Sequence, residues 1–382
     1  MKENGKKLYK TISDDIIQKI KSGKLSAGDK LPRTTDLVKT YGVSKVTIEK
    51  ALKTLKDMNV VYSVKKAGTF VNGKKNAGQK VFALIITYDS GDQLKIIKAA
   101  EVTALINNCF IEVCLTYGDA AKEAEQLKQA LKSNYDGVMV YPVKGYDNLG
   151  LYTEFSIKKI PLIFLDRRVD GIRAPLITPD NYRGAELAVK YLAENGHKNI
   201  GFSYVLPYAP TTEKERFEGF VKSMTDSGLK VDAKSVNFIR HARKKVNAEE
   251  FAKNVRSGKI NLTAVVCVND HHAKALIKAF EEAGLNVPDD LSVVGFDGAF
   301  IGGELDLTSV VQNFTALGET GVKYLIDLIG GKPLENTVYI PVEFHNGKTA
   351  KRWVNCPKAA AFNTVPRADI LPSLCRNNPP AY

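Results

Sequence analysis

Tryptophan occurs once in this 382-residue chain, methionine four times and cysteine five times. The cysteines, Cys109, Cys114, Cys267, Cys356 and Cys375, are scattered and odd in number, which argues against a disulfide framework and for free thiols in a reducing compartment. None of them has zinc-ligand spacing backed by suitably placed histidines, so no metal is expected. No apolar run approaches the roughly eighteen residues of a membrane-spanning helix. The opening MKENGKKLYK has neither the apolar stretch nor the small-residue cleavage site of a secretory signal. A cytoplasmic protein with no membrane partner is the expectation. Gly-x-Ser-x-Gly and phosphate-loop arrangements are also missing. No catalytic residue and no cofactor is therefore expected, and the chain is not read as an enzyme.

What is present is length, apolar content and an uneven charge. A hydrophobic share of 44% is ample for globular cores, and the length corresponds to two or three domains. The net charge is +13, and through Lys80 there are 19 basic against 7 acidic residues, so nearly the whole excess lies in the first fifth of the chain. Concentrated positive charge of this kind neutralises phosphates and releases their counterions, although a solvated basic tail has the same charge.

Apolar patterning separates these two readings. Ile12, Ile16, Ile17 and Ile20 recur at helical spacing between Thr11 and Ser22, and Gly23 stands where a terminating glycine belongs. LSAGDKLP is turn chemistry. A second helix over 35–41 offers Leu37 and Val38 before Gly42 breaks it. Ser44 caps a third, in which Ile48, Leu52 and Leu55 share one face and Lys45, Thr47, Lys50, Lys53 and Lys56 take the other sides. VVYSV and TFV, separated by KKAG, form a basic hairpin. Three helices and such a wing are the form in which the third helix enters the major groove and the hairpin lies along phosphates.

The succession SGKLSAGDKLP, YGVSKVTIEKALKTLKDMNVV and KKAGTFV resembles the GntR-type winged helix, over about residues 8 to 72. The resemblance implies that Ser44, Lys45, Thr47 and Gly68 approach DNA; with the basic Lys50, Lys65 and Lys66 and the Arg33-Thr34-Thr35 stretch they make up the candidate DNA-binding set. The chain departs from the family at that stretch. Where relatives usually carry Ser-Glu-Arg after Leu-Pro, it has Arg33, Thr34 and Thr35, so the family's arginine is absent at position 35 and only Arg33 stands nearby.

The residues from 73 to 80 (GKKNAGQK) read as a polar linker. Beyond it VFALIIT, FIEVCLT, GVMVYPV and LIFLD alternate with amphipathic stretches, and NIGFSYV, TAVVCVND and LSVVGFD repeat the theme. That alternation specifies two lobes of parallel sheet flanked by helices, with a ligand cleft outside the carboxyl ends of the strands. Asp89, Asp166, Asn269, Asp270 and Asp297 stand at those ends. Each alone is as well explained by helix capping; recurring at equivalent positions, they form a ring of hydrogen-bonding groups suited to a polyol.

IPLIFLDRR, ITPDNYRGAELAVKYLAENGHKNIGF, KERFEGF, AVVCVNDHHAKALIKAFEEAGLNVPDDLSVVGFDG and LTSVVQ resemble, in order, the effector domain of LacI/GalR-type regulators and the periplasmic sugar-binding proteins, from about Val81 to Thr349. By that likeness Asp166, Arg216, Asn269 and Asp297 bind effector, with Asp89 and Gln312 as further candidates. His271 and His272 adjoin the site, but adjacent histidines leave a helix on different sides and no third ligand accompanies them. The Asp166-Arg167-Arg168 run is also readable as a structural ion pair.

The sequence thus describes an α/β protein: a winged helix-turn-helix over 1–72, a linker over 73–80, and a two-lobed periplasmic-binding-protein-like domain over 81–349. The segment 350–382 receives no structural reading. The combination resembles arabinose-type repressors, which implies a homodimer on a double-stranded DNA operator, released by a monosaccharide. Activation in place of repression, and a phosphosugar or another small polar effector, stay open at this point.

Overall fold

The computed structural model describes residues 2–353, apart from 23, 26–28, 59, 65–67, 72–78, 90, 144–146, 207–210 and 241–243. The N-terminal unit consists of α1 (Lys2–Lys21), α2 (Thr34–Tyr41), α3 (Lys45–Asp57) and an antiparallel hairpin of β1 (Val61–Val64) and β2 (Gly68–Val71). Its core is made by Ile12, Ile16, Ile20, Leu37, Ile48, Leu52, Leu55 and the hairpin residues Val61 and Val71. Gly42, at φ 62°, ends α2 in the left-handed region, and the Ser44 hydroxyl accepts from the Thr47 amide at the start of α3. The first helix begins well before Thr11. Lysine and glutamate favour helix, and Tyr9 packs against the core, so the apolar face starts a turn ahead of the isoleucines.

The first lobe runs through β3 (Lys80–Ile86), α4 (Gly91–Ile106), β4 (Cys109–Leu115), α5 (Ala120–Lys132), β5 (Gly137–Val140), α6 (Leu149–Ile157), β6 (Leu162–Leu165) and β7 (Leu176–Pro179). The second follows with α7 (Asn181–Glu194), β8 (Ile200–Leu206), α8 (Thr211–Asp226), β9 (Val236–Arg240), α9 (Lys244–Arg256), β10 (Ala264–Cys267), α10 (Asp270–Glu282), β11 (Ser292–Asp297) and β12 (Ser309–Val311). The chain then returns for α11 (Phe314–Ile329) and β13 (Thr337–Ile340) before closing with β14 (Glu343–His345). The sheet orders are β13-β7-β6-β5-β3-β4 and β14-β12-β11-β10-β8-β9. The pairings are parallel except β14 on β12.

Strand alternation explains the apolar runs. Phe82, Leu84 and Ile86 enter the core under α4 and α11, whereas Ala83 and Ile85 enter the opposite one with Leu127 of α5 and Phe155 of α6. A sheet covered on both faces needs apolar residues at every strand position. The chain crosses between lobes three times, at Pro179–Asn181, Gln312–Phe314 and Ile340–Glu343, because β7 and β13 belong to one sheet and β12 and β14 to the other.

Two features lie at the borders of this domain. Val102, Leu105 and Ile106, on the last turns of α4, join the core cluster of the N-terminal unit, with α1 lying against α4. Ala350 is buried in the second lobe, and the Trp353 amide donates to the Asn195 carbonyl at 2.8 Å while its ring lies against His197. The fold therefore continues to Trp353.

Candidate functional site

A cleft of about 580 Å³ opens between the lobes, lined from the first by Tyr88, Gln93, Lys95, Tyr141, Asp166 and Arg167 and from the second by Glu213, Arg216, Asn269, His271, Asp297 and Phe300, with Gln312 at a crossover. Its walls are the carboxyl ends of parallel strands, where the strand-to-helix turns leave room for a ligand.

In the first lobe Asp166 follows β6 with φ 68° and is 3% exposed. Arg167 holds it, Nη2 to Oδ2 at 2.8 Å, and donates to the Tyr141 hydroxyl at 2.8 Å while lying over that ring. Burial pushes the Tyr141 hydroxyl far above its usual range, so it stays protonated. In the second lobe Asp297 ends β11 with φ 124°. Aspartate tolerates such backbone better than bulkier residues do, and the local cost is accepted where it aims a side chain.

Arg216 is the hub of the second wall. Its Nε donates to Asn181 Oδ1 at 2.8 Å, and its Nη1 donates to the Val268 carbonyl at 2.6 Å and to Asp297 Oδ1 at 3.3 Å. The guanidinium lies 3.8 Å from the Phe296 ring centre. Gln312 Nε2 also donates to Asp297 Oδ1, and Gln312 Oε1 is buried with no partner among the described residues. Burial drives the Asp297 carboxyl up to about 7; Arg216 pulls it down, while Asp270 and Asp166 push it further up. Asn181, fully buried at the first crossover, also donates to Glu215 at 3.1 Å and to Thr178 at 3.3 Å, and Thr178 donates to the Asp166 carbonyl at 2.6 Å. One hydrogen-bonded chain therefore links cleft-lining residues of both lobes through the first crossover.

On the N-terminal unit, α3 presents Lys45, Lys50 and Lys53 to solvent, with Thr47 half-buried. The Ser44 hydroxyl is shared with Thr47 Oγ1 at 2.9 Å, Lys45 lies 3.6 Å from Glu49, and Lys50 Nζ sits 4.6 Å from the Tyr9 ring centre. Arg33 and Thr35 are exposed at the start of α2, with Thr34 half-buried between them. Gly68 opens β2 at φ 127° beside the Lys30 side chain. Lys65 and Lys66, expected in the wing, lie outside the described residues.

Comparison with known proteins agrees with both halves. Residues 8–71 match the model of bacterial regulatory proteins of the gntR family, and residues 189–350 match that of the periplasmic binding protein-like domain. The chain joins a GntR-type winged helix to a periplasmic-binding-protein-like domain. It is 26% identical over 341 residues to the arabinose metabolism transcriptional repressor of Geobacillus stearothermophilus, covering 86% of this chain and 93% of that one. With the PurR transcriptional repressor of Pasteurella multocida (strain Pm70) it shares 29% over 310 residues, covering 80% and 89%. The crystal structure of the transcription regulator CcpA of Lactococcus lactis superposes with a TM-score of 0.62 at 18% identity, covering 72% of this chain and all of that one, a likeness of fold.

Of the sequence candidates in the periplasmic-binding-protein-like domain, Asp166, Arg216, Asn269, Asp297 and Gln312 meet at the cleft. Asp89 does not: it is exposed, and the lining passes from Tyr88 to Gly91. Asp270, one of the strand-end acids, is instead a brace, accepting from the Ala299 amide and the Ser309 hydroxyl, each at 2.6 Å. Asn269 lines the cleft and also caps α10 by accepting from the His272 amide at 2.8 Å. His271 stacks edge-on against Phe300, His272 bonds to Ser203 in the interior, and no metal-holding cluster occurs among the described residues. The Asp166–Arg167 ion pair is present and is part of the cleft wall. Asn181, Tyr141 and Gln93 were missed. The Pro-Asp-Asn start of α7 was the available signal for Asn181, whereas Tyr141, directly after β5, and Gln93, in the first turn of α4, carry none beyond lying past the end of a strand.

Proposed function

We propose that this chain is a one-component transcription repressor of carbohydrate-use genes, with no enzymatic activity. Its GntR-type head binds a duplex operator, and a neutral monosaccharide in the cleft relieves the binding. The cleft carries this reading. Fixed donors and acceptors from both lobes converge there, with Arg216, Asp297, Gln312, Asn269 and Asp166 as the effector residues. The buried Gln312 Oε1 offers an acceptor to a hydroxyl. Each cation among the described lining residues already has a carboxylate close by: Lys95 with Asp92 at 2.8 Å, Arg167 with Asp166 at 2.8 Å and Arg216 with Asp297 at 3.3 Å. A phosphoryl group would find no uncompensated positive charge, which favours a neutral polyol over a phosphosugar.

A homodimer presents two copies of α3 to a two-fold operator, with half-sites one or more helical turns apart. Helix α4 supplies the route from sugar to DNA. Gly91, Asp92, Gln93 and Lys95 at its start line the cleft, and Val102, Leu105 and Ile106 at its end pack into the head. Closure of the lobes on a sugar moves this rod of about 24 Å as a unit. A coupling of roughly 1–3 kcal/mol lowers operator affinity about 5- to 150-fold. The residues act in the cytoplasm, and no helix among those described is long and apolar enough to cross a membrane.

The test is a thermal-shift screen of pentoses, deoxyhexoses, their phosphates and purine bases, followed by titration of each binder into an operator-bound sample. A neutral sugar that raises the melting temperature and releases DNA is expected. Tighter or unchanged DNA binding with every ligand that binds defeats the inducer reading.

A further inference from the structure

Helix α3 buries Ile48, Ala51, Leu52 and Leu55. With about 100° of rotation per residue, the first-turn position most nearly opposite that stripe is Val46, flanked by the exposed Glu49, Lys50 and Lys53. Val46 is 72% exposed, the one apolar side chain on an otherwise charged face. A β-branched residue gains nothing there from helix propensity or from water. Its neighbours are engaged: Thr47 Oγ1 lies 2.9 Å from Ser44 Oγ, and Lys45 leans toward Glu49. Val46 is left as the forward tip of the first turn, the part of a recognition helix that reaches base edges.

The apolar feature of the major groove is the thymine 5-methyl group. We propose that Val46 reads one thymine in each operator half-site by packing its methyl groups on that methyl. The inference rests on the DNA-binding reading above and adds a base preference to it. It assigns the contact to an aliphatic side chain on the exposed, charged face of α3.

The experiment uses the full chain. Duplexes are enriched from a randomised pool, and each thymine of an enriched duplex is then replaced singly by uracil, which keeps the pairing edge and lacks only the methyl. The wild-type chain is expected to lose about fourfold in affinity at one thymine per half-site, the worth of one buried methyl. Val46→Ala is expected to bind the thymine duplex about fourfold more weakly and to bind the thymine and uracil duplexes equally; Val46→Thr, which keeps one methyl, retains part of the preference. Alanine favours helix at this exposed site, so the variant keeps its fold. The proposal is overturned if no uracil replacement weakens the wild type, or if Val46→Ala stays sensitive at the same position. Val46→Ala that dissociates into monomers instead assigns the residue to a protein interface and equally overturns it. Failure to enrich any duplex overturns the DNA-binding reading itself, an outcome distinct from enrichment without a methyl effect.

Discussion

Acidification from pH 8 to pH 6 is expected to weaken sugar binding about tenfold, through Asp297 alone. Burial raises this carboxyl to about 7, against the pull of Arg216 and of the hydrogen bond from Gln312. Sugar hydroxyls donate more strongly to the carboxylate than to the carboxylic acid, so the bound state favours ionisation and its carboxyl pKa falls. Binding then releases a proton. The sign follows: affinity is fully present above pH 7 and declines as pH falls through 7, because the free protein must first lose the proton it holds. For a free-state value of about 7, the factor 1 + 10^(pKa − pH) is about 11 at pH 6 and about 1.1 at pH 8, a ratio of about ten. The assay is isothermal titration of the sugar found by thermal shift, across this range and in buffers of different ionisation enthalpy, which count the released proton. Asp297→Asn removes this proton: the variant binds more weakly throughout, but with a flat profile. Affinity that is constant or rises toward acid, or a wild-type slope retained in Asp297→Asn, refutes the reasoning.

Other expectations follow from the same geometry. Arg216→Lys places one ammonium where the guanidinium served Asn181, Val268 and Asp297; losing two charge-assisted bonds at about 1.5 kcal/mol or more each costs roughly a hundredfold in sugar affinity while the operator is still bound, and near-normal release by sugar contradicts the role given to Arg216. Leu55→Ala opens a cavity at a fully buried position of the head. A loss of about 2–5 kcal/mol, read by chemical denaturation, should abolish operator binding and spare sugar binding. Val102→Glu puts a charge where α4 meets the head; sugar affinity measured by calorimetry should stay within about twofold while sugar-driven release of the operator shrinks. Unaltered release in that variant rules out α4 as the route.

Legibility differed from one level to the next. The helical isoleucine spacing, the Ser44 cap, Gly42 and the hairpin signals are local, since each depends on residues within a few positions of one another, and so the head could be read in one dimension. The lobes were legible because strands covered on both faces must be apolar throughout. The strand-end acids were visible as a class, but not by individual role. Asp270 turned inward because the Ala299 amide and the Ser309 hydroxyl wait for it there, and Asp89 stayed in solvent, though both occupy the same kind of position in the sequence. Asn181 needed the crossover to bring it beside Arg216, 35 residues away.

The scarcity of cysteine and tryptophan, the charge gathered before Lys80 and the apolar periodicities determined by themselves a basic winged helix followed by a two-lobed α/β domain. Tertiary structure alone decided which polar residues face one cavity and that α4 spans from that cavity to the head. Local pattern records which side of an element is buried; it holds no information about which distant element does the burying, because that is set by the packing of whole sheets and helices against one another.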